Sequence, residues 1–315
     1  MAQASVPQET GMTLGAGVRK ADSPEVASLE PRIDSPVRQV FRRFLRNRLA
    51  VVGALVLIVI TFSAVAAPLL TPHTPTSVNL RSLRRPPSEA HILGTDPAGR
   101  DVFARVVYGG RVSLSVGIFS VIIYTAVGIV LGLVSGYYGR WVDAIIMRIT
   151  DTMMSLPPLL VMLMLVTITT PSIGTLIMAV AVTRWPGIVR VVRGQVLSVK
   201  EMEYVTAAHA LGVPPRRIMF WHLLPNVFSP VIVSATFGLA QAIMAEASLS
   251  FLGLGVQPPT PSWGNMLNDA QSISILTSMP WYWVPPGLLI AISVLSINFV
   301  GDGLRDALDP RSKKI

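Results

Sequence analysis

From residue 49 to residue 300 the chain is a succession of long, unbroken apolar runs separated by short polar breaks. About 20 consecutive apolar residues span the roughly 30 Å of hydrocarbon in a bilayer. By that measure the runs at 49–70, 112–135, 153–169, 173–192, 227–252 and 283–300 read as six membrane-spanning helices. The pattern therefore predicts an all-α, polytopic membrane protein with about six spans. The third span has an amphipathic lead-in from Trp141 to Asp151, and the fourth carries Arg184, placed to snorkel toward its inner end. The stretch from Thr71 to Arg111 holds Pro72, Pro75, Pro86 and Pro87 and cannot span. Gly136 to Arg140 reads as a tight return, and 193–226 as a polar segment between two spans. Residues 1–36 are polar and aperiodic and read as a disordered cytoplasmic tail ahead of a membrane domain at 37–315. Ala64-Val65-Ala66-Ala67 has the small residues of a leader cleavage site, but too long a segment precedes it and Pro68 follows, so the first span is read as uncleaved.

Composition agrees with the pattern. The chain is 51% hydrophobic and 14% charged, where soluble proteins carry about 25% charged residues. The net charge of +9 would raise nucleic-acid binding in a soluble protein. Here the arginines flank apolar runs, as anchoring at an anionic lipid surface requires, so the partner is membrane lipid and not nucleic acid. Arg38, Arg42, Arg43, Arg46 and Arg48 precede the first span and place the N-terminus in the cytoplasm. Six crossings bring Arg305, Arg311, Lys313 and Lys314 to the same side. Arg81, Arg84, Arg85, Arg100, Arg105 and Arg111 run against that rule, but their loop is long and the first helix usually dominates.

Several chemistries are excluded. There are no cysteines, hence no disulfide, thiolate metal site or cysteine nucleophile. No Gly-Lys pair exists and so no phosphate loop for a nucleotide. His73, His91, His209 and His222 lack metal-ligand spacing and read as loop or interface residues. No Gly-x-Ser-x-Gly or His-Glu-x-x-His signature supports a membrane hydrolase. Apart from Arg184 and Glu246 the spans hold few charges on which a proton relay or ion-driven carrier could run, and no internal repeat supports a secondary transporter.

The polar segment holds a helix-turn-helix. Tyr204, Ala208 and Leu211 fall at i, i+4 and i+7 with Ala207 beside them, a face of small residues that admits close approach of another surface. Gly212 is placed for a left-handed helix cap, and Pro214 and Pro215 open a second helix that yields to the fifth span at Leu224-Pro225. An amphipathic connector lying on lipid satisfies the same pattern.

Ala207-Ala208, Gly212 and Leu224-Pro225 are similar to the EAA loop of ABC importer permeases, with Thr206 where the family has glutamate, Glu203 one turn earlier, and His222 where a hydrophobic precedes Leu-Pro. His91-Ile92-Leu93-Gly94-Thr95-Asp96 through Gly99-Arg100-Asp101 resembles the second of the two channel subunits in dipeptide and oligopeptide importers. So do Gly136-Tyr137-Tyr138-Gly139-Arg140-Trp141-Val142-Asp143 with Met147-Arg148 and Asp151, the run from Ser250 to Gly264, and Gly301-Asp302-Gly303 through Asp309-Pro310. The matches lie in order over about residues 38 to 311. Local physics also accounts for parts of them: polar turn caps around Thr95 and Asp101, an interfacial turn over 250–264 with Trp263 in the headgroup zone, and an aromatic belt at Trp281, Tyr282 and Trp283.

The resemblance implies a non-catalytic, channel-forming permease subunit in the cytoplasmic membrane of a prokaryote, with both termini cytoplasmic. It implies a heterodimer with a homologous permease subunit, two cytoplasmic ATPase subunits or one fused ATPase that bind ATP and Mg, and an extracytoplasmic peptide-binding protein. Glu203, Tyr204, Ala207, Ala208, Leu211, Gly212, Leu224 and Pro225 would then couple the channel to the ATPases. A permease for nickel or another small solute shares most of these motifs and is the alternative.

Glu246 is the one carboxylate inside a span, roughly 30 Å along the helix from Asn226. Ser234, Gly238, Gln241, Ala245 and Ser248 share a small, polar face of that helix, with Val233, Phe237, Met244 and Phe251 opposite, on a side suited to lipid. Glu246 lies at the edge of the polar face, either as a hydrogen bond to a neighbouring helix or, with Gln241 and Ser248, as a polar station of the path or gate.

Overall fold

The computed structural model describes residues 36–309. The expected tail up to residue 35, and Arg311, Lys313 and Lys314, lie outside the described residues. Helix α1 (Pro36–Arg46) leads into α2 (Arg48–Val65), capped by Asn47, whose side chain accepts the Ala50 amide. A single turn, α3 (Ala67–Leu70), ends the first apolar run. After the proline-rich loop come α4 (Val102–Tyr138), α5 (Arg140–Ser155), α6 (Pro158–Ile168) and α7 (Ile173–Val199). The short α8 (Glu203–Ala210) and α9 (Pro215–Arg217) precede α10 (Leu224–Phe251). Two further short helices, α11 (Trp263–Asn268) and α12 (Ile273–Ser278), precede α13 (Pro280–Leu308). Among the described residues there is no β-strand beyond an isolated bridge between Thr95 and Asp101.

Five helices are long and apolar enough to cross a membrane, and six if a bent pair counts as one span. That pair is α5 and α6, bent by 88°. The third span, expected at 153–169, is thus a broken one: the helix breaks at Leu156 and Pro157, both in extended backbone. A residue before proline is pushed out of the helical region, and two prolines in succession do this twice. With 11 residues, α6 is about 16 Å long, too short to cross alone.

A ridge of glycines sets the centre of the bundle. A β-carbon on Gly128, Gly132 or Gly136 of α4 would lie 2.5, 2.6 or 2.7 Å from the β-carbons of Ile188, Val192 and Val196 of α7. Glycines every fourth residue thus let the β-branched row of α7 rest on the backbone of α4, a packing typical of helices in lipid. The pairing rises together along both helices, so α4 and α7 run parallel, and α5–α6 must carry the chain back between them. Arg184, expected to snorkel toward the inner end of its span, donates instead to Gln241 of α10. Because α7 continues to Val199, Arg184 is eleven residues from its first residue and fifteen from its last, near mid-length.

Many large apolar side chains point outward, among them Leu55, Ile58, Phe62, Phe119, Ile122, Met164 and Leu295. An apolar exterior over a core closed by hydrogen-bonded helices is what hydrocarbon requires of a spanning protein. Several of the loop arginines that ran against the charge rule hold local acceptors. Arg111 donates to the carbonyls of Ala64 and Val65 at 2.6 and 2.7 Å, at the end of α2, while Arg100 and Arg105 both face the buried Asp96. Asp101 caps α4 by accepting the Ala104 amide and holds His91 Nδ1 at 2.8 Å.

Candidate functional site

At one end of the bundle α8 stands on the surface. Val205 and Ala208 are buried, and Val205 joins a core with Val199, Ile218, Met219 and Leu223. Tyr204, Ala207 and Leu211 are exposed, Leu211 to 83%. The expected outward face is thereby corrected in one member: Ala208 belongs to the inward side with Val205, three residues apart, and Ala207 takes its place outside. Gly212 has φ +76° and ends the helix, with the Val213 amide donating to the Ala208 carbonyl. Nothing lies within 4 Å of where its β-carbon would be, so only backbone conformation demands glycine there.

The second helix of this unit does not stop at Leu224-Pro225. From Pro215 to Phe251 the helix is continuous, with a π-turn over Ile218–Leu223 in which the Leu224 amide donates to the Met219 carbonyl. Pro225 has no amide hydrogen, and a wider turn just before it absorbs the missing bond. Asn226 Nδ2 donates to the His222 carbonyl at 2.7 Å and to the Tyr204 hydroxyl at 3.0 Å, fastening α8 to this turn. Glu203 sits exposed in the first turn of α8.

Ion pairs brace the same end. Arg193 of α7 forks onto Asp143 of α5, Nε to Oδ1 at 2.5 Å and the second nitrogen to Oδ2 at 2.6 Å, and Ser135 of α4 donates to the same carboxylate. Arg190 reaches Asp151 at 2.6 Å, and Lys200 donates to the Gly136 carbonyl. The sequence pattern singled out Asp143 and Asp151 without their partners. Arg190 and Arg193 stand three apart on α7, and that spacing was the signal for a shared face.

The residues assigned to the path separate in space. Gln241 lines a cavity of about 430 Å³ with Tyr124, Thr183, Arg184, Ser234 and Phe237, and it accepts a 2.6 Å hydrogen bond from Arg184. Phe237 is thus not simply lipid-facing: it borders the cavity and lies against Gly301 of α13. Glu246 is elsewhere, wholly buried, accepting from Ser113 at 2.8 Å and Ser250 at 2.7 Å. Ser248 is exposed and bonded to its own helix at the Met244 carbonyl. Ala245 is also buried, so the small face predicted for α10 divides into a cavity-lining part and a packed part.

Two aromatic expectations are corrected beside it. Trp263 is buried, not in a headgroup zone, its indole donating to the Val106 carbonyl and its amide to Ser113. Tyr282 is buried as well, with its hydroxyl on Asp269. Each ring is drawn inward because its polar atom finds a partner there.

Residues 128–314 match the model of the family described as binding-protein-dependent transport system inner membrane component. Residues 35–87 match the N-terminal TM domain of oligopeptide transport permease C. This chain belongs to that inner membrane component family. The permease is 42% identical to the dipeptide transport system permease protein DppC of Bacillus subtilis over 94% of this chain and 91% of the relative. It is 44% identical to DppC of Alkalihalophilus pseudofirmus, over 89% and 91%. It is 39% identical to the oligopeptide transport system permease protein OppC of Bacillus subtilis, over 86% and 88%. A chain of the inward-facing MetNI methionine ABC transporter shares the fold, with TM-score 0.52 at 19% identity over 65% of the permease and 96% of that chain.

Proposed function

We propose that this permease is one of two homologous channel subunits of an ATP-driven importer that moves dipeptides and oligopeptides inward across the cytoplasmic membrane of a bacterium. The observation that carries the reading is near full-length similarity to DppC and OppC, whose names state dipeptide and oligopeptide transport. It favours peptides over nickel or another small solute.

Under this reading the α8 end faces the cytoplasm, where two ATPase subunits or one fused ATPase hold ATP and Mg. Both termini lie on that side, and a peptide-binding protein docks at the α11 end. The exposed Tyr204, Ala207 and Leu211 enter a groove of the ATPase, and the Gly212 cap sets the angle at which α8 is presented. The Tyr204–Asn226 bond and the Arg193–Asp143 fork pass a displacement of α8 to α10, α7 and α5. Nucleotide binding shifts the population between inward-open and outward-open packings, because it favours the form with the ATPases drawn together.

Purification of the tagged permease from its native membrane tests the assignment. Co-purification of a second permease and an ATPase, with peptide uptake on reconstitution, is the expected result. A complex that moves a metal ion and no peptide would reject the substrate assignment.

A further inference from the structure

We propose that Arg184 is the docking point for the C-terminal carboxylate of a peptide part-way through the membrane, held in position by Gln241; this rests on the peptide-importer reading above. Arg184 lies near the middle of α7, a helix long and apolar enough to cross a membrane, and a charge inside hydrocarbon is costly. Its one hydrogen-bond acceptor among the described residues is the neutral Gln241 Oε1, at 2.6 Å. Its Nε is buried and without a partner, and no ion pair among the described residues includes it. The other arginines of α4 and α7 face acceptors: Arg193, Arg190 and Arg105 have carboxylates, and Arg111 has two helix-end carbonyls. Arg184 alone of these keeps an uncompensated charge.

The charge also lines a cavity. Tyr124 of α4, Thr183 and Arg184 of α7, and Ser234, Phe237 and Gln241 of α10 border the same ≈ 430 Å³. That volume falls in the range of small-ligand sites, about 300 to 1,000 Å³, and a few polar groups on an otherwise apolar wall is their usual composition. Gln241 can orient a guanidinium but cannot neutralise it, so the wall is complete only when an anion enters. A guanidinium matches a carboxylate in shape as well as charge. An unmodified linear peptide has one C-terminal carboxylate whatever its side chains, so such a station reads the backbone and not the sequence. It also suits transit, since a carboxylate held by an arginine beside open volume is released when the helices repack.

The test uses the full complex in proteoliposomes with its own binding protein, comparing wild type, Arg184→Gln and Arg184→Lys. Uptake rates are measured for trialanine as free acid and as C-terminal amide, and each variant's acid-to-amide ratio is divided by that of wild type, which cancels the binding protein's own preference. Arg184→Gln should lower the relative ratio by about tenfold, the loss of one charge-assisted interaction, with the complex intact. Arg184→Lys should restore part of it. An unchanged ratio, or equal loss of acid and amide uptake, would overturn the proposal. Dissociation of the two permease subunits in Arg184→Gln would overturn it too, by assigning the arginine to a carboxylate of the partner subunit. If the wild-type complex moves neither peptide, the peptide reading itself fails and takes this proposal with it, a result distinct from the others.

Discussion

Ser113 and Glu246 are 133 residues apart in the chain, yet the serine hydroxyl donates to the glutamate carboxylate at 2.8 Å inside the protein. The same hydroxyl accepts the Trp263 amide at 3.2 Å, so one oxygen joins α4, α10 and α11. Glu246→Gln fills the site and keeps one of the two acceptor oxygens, whereas Glu246→Ala leaves both Ser113 and Ser250 without one. Leaving a buried polar group unpaired costs about 1–3 kcal/mol. We expect Glu246→Gln to assemble with a near-normal melting temperature and Glu246→Ala to melt several degrees lower, measured on the purified complex. If instead the Gln variant assembles but loses uptake, the carboxylate acts in gating.

The glycine ridge gives a second prediction. Gly132→Ala places a β-carbon 2.6 Å from that of Val192, closer than real side chains approach, and neither helix can yield alone. Overpacking of this kind costs about 1–3 kcal/mol. The single variant should lower the yield of folded permease, and adding Val192→Gly should restore most of it. Failure of the second change to rescue the first would separate these two positions.

At the α8 cap, Gly212→Val forces a β-branched residue to φ +76°, at about 1–2 kcal/mol, whereas Gly212→Asn tolerates that conformation. Both should insert, since the position is open. The Val variant should lose peptide uptake and coupled ATP hydrolysis, and the Asn variant should keep most of both. A bulky Ala207→Trp on the exposed face of α8 should likewise abolish coupling without loss of the permease from the membrane. Normal uptake by Gly212→Val and Ala207→Trp would remove α8 from the coupling path.

The orientation can be read on a chain that has no cysteine of its own. Single cysteines at Thr76 and Pro259, both exposed near the α11 end, should react with an impermeant maleimide in intact cells. Those at Ser198, exposed beside α8, and at Ser312 should not. Reaction at Ser198 would invert or redraw the topology.

The architecture was legible where hydrophobicity alone decides it. Apolar runs marked out the long helices, and the Ala-Ala-x3-Gly spacing found the capped α8. Less legible were features that depend on which groups meet. Ala208 turned inward because Val205 and the π-turn claim that side of α8, which a three-residue pattern on an eight-residue helix does not reveal. Pro157 and Pro158 were visible, but the apolar run around them outweighed their effect until the 88° bend was seen. Trp263 and Tyr282 looked interfacial by type, and only the distant Val106 carbonyl and Asp269 explain their burial. Gly128, Gly132 and Gly136 carried a four-residue spacing in plain view, whose meaning lay in the matching row at Ile188, Val192 and Val196.

That matching row governs how the bundle can deform. Each β-branched side chain of α7 is seated between ridges of α4, so axial slippage of one helix past the other must first lift three side chains out of three notches. The pair is keyed like a shaft in its hub and turns or tilts as one piece. Any axial displacement of α7 therefore carries α4 with it, and the compliance needed for a change of shape is left to the broken elbow of α5–α6.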